Sequence, residues 1–267
     1  MDFVAPHQLG AGSIQACLQP GDPESDVAFV NLRALDWTEP AGLVAIATFV
    51  ESQWQIGRTP QLIGPADTRR GRYLSRMHLG TLIEDFDGIH DLPSINEWSR
   101  EGYLLELQRF DGKDAPPALA TLVEERLRGT RSAEAIHKGI CEIGANVPDH
   151  SGREHGYIAA ITTHGGTRVS FAIGDAGVGL VEPLAGRGYE RAGDVMRDLF
   201  EAGGLSRIDE AGRGRGVYRT KEVVTREGGT IHMASGRDAV RVNQFGLYPA
   251  SSRIPMPGTI LQGAMPC

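Results

Sequence analysis

Apolar and polar positions along the first third of the chain follow two alternating rhythms. "DVAFVNLRAL" is a short apolar run between polar residues, as expected of a buried strand. "PAGLVAIATFVESQW" is long and apolar enough for a helix, with Pro40 in its first turn. "TPQLIG" repeats the strand pattern and "RRGRYLSRMHLGTLIEDF" the helical one. Strands alternating with helices predict a small α/β domain over about residues 1–95. The polar stretch "HDLPSINEWSREG", broken by Pro93, reads as a linker.

Beyond the linker the rhythm changes. "GYLLELQRF" predicts a strand, and "PPALATLVEERL" and "SAEAIHKGICEIGANV" predict helices. "HGYIAAITT" and "TRVSFAIGD" predict a hairpin that turns at Gly165 and Gly166. A Gly-rich region follows, with a short helix at "DVMRDLFEAGG" and a loop leading into a helix at "GRGRGVYRTKEVV"; the tail reads as short strands and loops. The fold class expected is α/β (α+β), with domains over 1–95 and 96–267.

One helix carries polar residues of interest. Ala133, Ile136, Ile140 and Ile143 recur at the spacing of an apolar stripe, and beside it Glu142 and Asn146 stand one turn apart on the same side. A solvated helix end stopped by Pro148 accounts for the pair, and so does a polar pair lining a cavity next to the core.

Composition narrows the classes. With 40% hydrophobic and 23% charged residues in 267, the chain suits a globular protein of two domains. No apolar run approaches the length of a bilayer span, and "MDFVAPHQLG" lacks the features of a signal peptide, so a cytoplasmic location is expected. Cys17, Cys141 and Cys267 are too few and too scattered for a disulfide framework. The net charge of −7 disfavours non-specific nucleic-acid binding, and the cluster Arg69, Arg70, Arg72 and Arg76 reads as a solvated helix face. Eight histidines without an HExxH or a paired Cys/His spacing argue against a transition-metal site.

Three more signals follow Glu142 and Asn146 in order. In "DAGVG", Asp175 ends an apolar strand, where a carboxylate can accept a hydrogen bond from an exocyclic amine, and Gly177 and Gly179 let backbone approach a flat ring. In "GRGRG", Gly212, Gly214 and Gly216 precede a helix, so freed backbone amides with Arg213 and Arg215 could hold phosphates. In "PGTILQGAMP", Thr259 begins a short apolar strand, where its hydroxyl could support the aspartate.

E-x3-N-x3-H-S, then DxGxG, GxGxG and a final GT-strand, in that order, resemble the nucleotide-binding domain of the gyrase, Hsp90, histidine-kinase and MutL superfamily, over about residues 100–267. "VAFVNLRALDWTEPAGLVAIA" and "RYLSRM" resemble STAS-like domains. The resemblance implies a STAS-like α/β domain followed by a two-layer α/β sandwich of the histidine-kinase/Hsp90 ATPase type. It implies ATP and Mg²⁺ as cofactors, with Asn146 as the Mg²⁺ ligand and Glu142 as the base that activates the nucleophile. By the same resemblance, Asp175 with Gly177 and Gly179 reads adenine, supported by Thr259 or by Thr230. Gly214 and Gly216, beside Arg213 and Arg215, contact the phosphates, and residues about 181–211 form a lid.

The acceptor of the phosphoryl group is less well defined. STAS partners of anti-sigma kinases carry a serine in a stretch resembling "DSSGL", whereas this chain has "EPAGL", with Pro40 and Ala41 in place of the hydroxyls. Three readings follow: an ATP-hydrolysing regulator whose nucleotide state controls engagement of a protein partner, a serine/threonine kinase acting in trans, and a module that binds ATP without turnover. The first is preferred because Glu142 is retained. Superfamily members often dimerise, which makes a homodimer an expectation too.

Overall fold

A computed structural model of the chain describes residues 1–96, 104–111, 117–126, 133–201 and 216–267. The first part comprises β1 (Asp2–Val4), β2 (Gln8–Leu9), β3 (Leu18–Gln19), β4 (Val27–Asn31), β5 (Trp37–Thr38), α1 (Pro40–Gln55), β6 (Thr59–Ile63), α2 (Thr68–Arg76), α3 (Leu79–Asp85) and β7 (Ile89–His90). The second comprises β8 (Leu104–Asp111), α4 (Pro117–Arg126), α5 (Ala133–His150), β9 (His155–Thr163), β10 (Arg168–Asp175), α6 (Ala192–Glu201), α7 (Gly216–Arg226), β11 (Thr230–Asn243) and β12 (Gly246–Pro266). The fold is mixed α/β, as the alternating rhythms predict.

Two five-stranded sheets organise these elements, in the orders β3-β1-β4-β6-β7 and β11-β12-β10-β9-β8, while β2 and β5 pair separately. The first is parallel except at β3, as expected where helices cross between strands. The second is antiparallel throughout. Gly165 and Gly166 turn its central hairpin with φ of 67° and 96°, which glycine adopts without the steric cost of a side chain.

Helix α1 joins the two sheets. Only Ser52, Trp54 and Gln55 of its 16 residues escape burial, because a helix that is apolar on all sides must be covered on all sides. It packs on β4 and β6 of the first sheet and on β9, β10 and β12 of the second. Phe3, Val30 and Leu62 therefore share one apolar cluster with Tyr157, Ala159, Ala172 and Ile260. The other face of the second sheet carries Val169, Phe171 and Ile173, which pack with Ile136, Ile140 and Val224 from α5 and α7. Covered on both faces, β10 reads in sequence as a continuous apolar run.

Four local expectations are corrected. The stretch "RRGRYLSRMHLGTLIEDF" forms two helices, not one, because His78 between them is left-handed with φ 59°. Pro148 does not stop α5, which continues to His150. The supposed linker begins inside β7, whose His90 pairs with Leu62, and its residues 97–102 lie outside the described residues. The tail is one long hairpin rather than short strands: β10 pairs only with Thr259–Pro266 of β12, and the stretch Gly246–Ser251 pairs with β11 alone. Pro249 has no N–H to donate to the ladder, and it is tolerated there because β12 has a free outer edge along that stretch. No helix among the described residues is long and apolar enough to cross a membrane.

Candidate functional site

The end of β10 is the best-defined part of the site. Asp175 is 7% exposed, its Oδ1 accepts the Gly177 N–H at 2.8 Å, and it stands opposite Thr259 in the ladder with β12. Burial pushes its carboxyl up to about 7, and the negative charge of Glu51 adds to the rise, while the Gly177 amide and the Arg153 guanidinium oppose it. Thr230 pairs instead with Ala264, five rungs along β12 from Thr259. Of the two threonines, Thr259 is thus the one beside Asp175. Its hydroxyl donates to Ser235 Oγ at 3.2 Å.

Glycines pack this end tightly. A Cβ on Gly177 would stand 2.1 Å from the Ser151 carbonyl oxygen, and one on Gly258 would stand 1.7 Å from the Asp175 carbonyl oxygen. Val178 N–H donates to the same Ser151 carbonyl at 2.9 Å, so the loop after Asp175 is sewn to the end of α5. Gly179, with φ 75°, makes the turn that brings the chain to Ser235.

Below this loop lies a buried polar group. Glu51 of α1 is 2% exposed and accepts hydrogen bonds from Tyr157 Oη at 2.7 Å, His155 Nε2 at 3.0 Å and Gln55 Nε2 at 2.8 Å. Arg153 donates to Gln55 Oε1 and, at 3.4 Å, to the Ala176 carbonyl beside Asp175. At the other end of α1, Gln262 accepts the Ala41 N–H at 3.0 Å and donates to Glu39 at 2.8 Å. The sidechain amide of β12 thereby occupies the helix terminus that has no cap of its own.

The second part of the site lies on α5. Ile136, Ile140, Ile143 and Val147 are buried, whereas Glu142 and Asn146 are only half-buried beside them. Glu142 Oε1 accepts a hydrogen bond from Arg219 Nη1 of α7 at 2.8 Å, and its Oε2 is buried with no hydrogen-bond partner among the described residues. A Cβ on Gly216 would stand 2.5 Å from Glu142 Cβ, so that glycine lets the start of α7 close on the carboxylate. Gly139 does the same one turn earlier, against Thr220.

The structure therefore draws seven of the expected positions toward the ends of α5, β10 and α7: Asp175, Gly177, Gly179 and Thr259 on one side, and Glu142 with Asn146 and Gly216 on the other. Arg213, Gly214 and Arg215 lie outside the described residues. Within the expected lid, residues 182–187 form a 3₁₀ turn and α6 is packed, with Val195, Met196 and Phe200 buried; residues 202–211 lie outside the described residues. Of the basic cluster on α2, Arg69, Arg70 and Arg72 are exposed, and Arg76 lies 3.6 Å from Glu106.

Sequence reading missed Arg219, Glu51 and Ser235. Arg219 lies 77 residues from Glu142, and no spacing rule links them. Glu51 falls in the polar end of an apolar helix and resembles a surface residue until its partners, more than 100 residues away, are in place. Among the described residues no group of three or more His, Cys, Asp or Glu converges as a metal cluster. No protein-family model matches the chain, and no curated protein matches it.

Proposed function

We propose that the chain is an ATP-binding regulator of the gyrase, Hsp90, histidine-kinase and MutL type, preceded by a STAS-like segment, that hydrolyses ATP with Mg²⁺. One observation carries the reading: a buried aspartate at a strand end, backed by Thr259 and flanked by glycines that exclude side chains, is sewn to the helix that carries Glu142 and Asn146.

In this reading Asp175 accepts the adenine amine, and Gly177 and Gly179 let the backbone lie against the base. The residues suit the cofactor. Mg²⁺ needs few protein ligands when phosphates and water are present, and Asn146 would supply one; the buried Oε2 of Glu142, without a hydrogen-bond partner among the described residues, is an acceptor for a proton. Bound Mg²⁺ would neutralise phosphate charge during transfer. Glu142 takes a proton from water as its oxygen bonds to the γ-phosphorus and the bond to the β-phosphate oxygen breaks, giving ADP and phosphate. Gly216 and, by resemblance, Gly214 with Arg213 and Arg215 supply phosphate contacts.

The Arg219 contact favours a second reading, ATP binding without turnover, because it ties up Oε1 of Glu142 and leaves only the enclosed Oε2 to act as a base. The STAS-like half has no acceptor at the start of α1, where Pro40 and Ala41 are buried and Ala41 N–H is bound to Gln262. A kinase would have to act on a separate partner. Phosphate release from γ-labelled ATP, in wild type and Glu142→Ala, tests all three. Turnover lost in the variant with binding retained supports hydrolysis, label on a protein selects the kinase, and binding without release in either protein selects the binding module.

A further inference from the structure

The segment between the Asp175 loop and α6 is fastened at both ends to one irregular step of β11. The ladder between β11 and β12 shifts register between Ser235 and Asp238, and Gly236 in the step has φ 56°. In an unbroken strand, residues three apart point to opposite faces. A bulge changes that alternation, and Ser235 and Asp238 both reach the same segment. Ser235, 1% exposed, accepts the Leu180 N–H at 3.2 Å and donates to the Gly258 carbonyl at 2.9 Å.

Asp238 holds the far end. It is 5% exposed, and its Oδ1 accepts from Arg191 Nη2 at 2.6 Å and from Ser251 Oγ at 2.8 Å, while Oδ2 accepts the Gly193 N–H at 3.0 Å. Gly193 is the second residue of α6, so Asp238 caps from a strand a helix that starts with free amides. Burial alone would raise its carboxyl, yet Arg191, Gly193 and Ser251 together hold it below the ordinary aspartate value. Beneath it, Ala192, Met196 and Phe200 share an apolar cluster with Val240 and Val242 of β11.

We propose that Asp238 is a positioning residue for the nucleotide: it latches α6 to the extended hairpin, fixing residues 180–193 as a wall that directly continues the Asp175 loop. The proposal rests on the ATP reading above. The long hairpin has a use in this light, since its bulge supplies both fastenings and its far half supplies Ser251.

The test combines hydrogen exchange without nucleotide and stopped-flow release of a fluorescent ATP analogue with Mg²⁺, on the full chain and on Asp238→Ala. Arg191→Gln, at an exposed side chain, serves if the first variant does not fold. Losing hydrogen bonds to a charged group predicts faster exchange confined to residues 180–200 and about tenfold faster analogue release, with little change in the association rate. Unchanged exchange in that segment, or exchange raised equally throughout the protein, overturns the latch. Faster local exchange with unchanged release overturns the nucleotide role alone. A wild type that binds no analogue overturns the ATP reading and the positioning role with it, whereas binding with unaltered release leaves that reading standing.

Discussion

Asp175 and Glu142 are both carboxylates of the candidate site, yet they are held in opposite ways. Asp175 is 7% exposed and fixed by a backbone amide, and the surrounding glycines leave its neighbours no room to move. The Glu142 side chain is 33% exposed and is held by an arginine whose side chain is itself 46% exposed. Backbone contacts in a close-packed interior change only if the chain shifts, whereas an exposed ion pair contributes little and exchanges partners readily. The Asp175 end is thus preformed, and the Glu142 end is where a ligand can replace one partner with another.

That contrast can be broken at several points. The largest expected effect is chemical: Glu142→Ala should lower ATP turnover by about 10²–10⁴, the usual contribution of a general base, while nucleotide binding persists. Phosphate release with parallel calorimetry checks this, and undiminished turnover would remove Glu142 from the chemistry. Next is Gly258→Ala, which sets a methyl 1.7 Å from the Asp175 carbonyl oxygen at a residue with φ 65°. It should cost about 2–4 kcal/mol in urea unfolding, from overpacking and backbone strain.

The pH dependence of adenosine binding isolates the rigid end. An amine donor prefers the carboxylate form of Asp175, whose pKa is raised to about 7. Affinity should therefore be level above that pH and fall by about tenfold per unit below it. For stability the sign is reversed. The native state holds the Asp175 proton more tightly than the unfolded chain, so this contribution is fully present at low pH and declines as pH rises from the ordinary 3.8 through about 7. Asp175→Asn should flatten both profiles, and an unaltered profile would show that another group titrates. The smallest effect belongs to Arg219→Ala, expected to cost less than about 1 kcal/mol of stability because the pair is exposed. A larger loss in thermal or urea unfolding would mean that the Glu142 end is as fixed as the other.

The sequence made the candidate site more legible than its supports. Glu142 and Asn146 are visible because helical periodicity puts them on one side of a regular apolar stripe, and Asp175 is visible because a glycine-dense turn ends an apolar run. Each is a local pattern. The contacts that fix them are not local: Gln262 meets Ala41, and Glu51 meets His155 and Tyr157, across separations of 100 residues or more. The tail hairpin was hidden for a related reason. Gly236, Pro249 and Gly258 punctuate it like turns, and only pairing with β11 and β10 reveals continuous strands.

Helix α1 behaves like a subunit interface enclosed in a single chain. Its covering of Tyr157, Ala159, Ala172 and Ile260 is the kind of apolar contact that obligate partners bury, here supplied from the same polypeptide. Residues 96–267 expressed alone would present that bare face to solvent and deprive His155 and Tyr157 of their shared acceptor, inviting aggregation. Co-expressed as two pieces, residues 1–95 and 96–267 should instead find each other, the first acting as the missing half of a split protein.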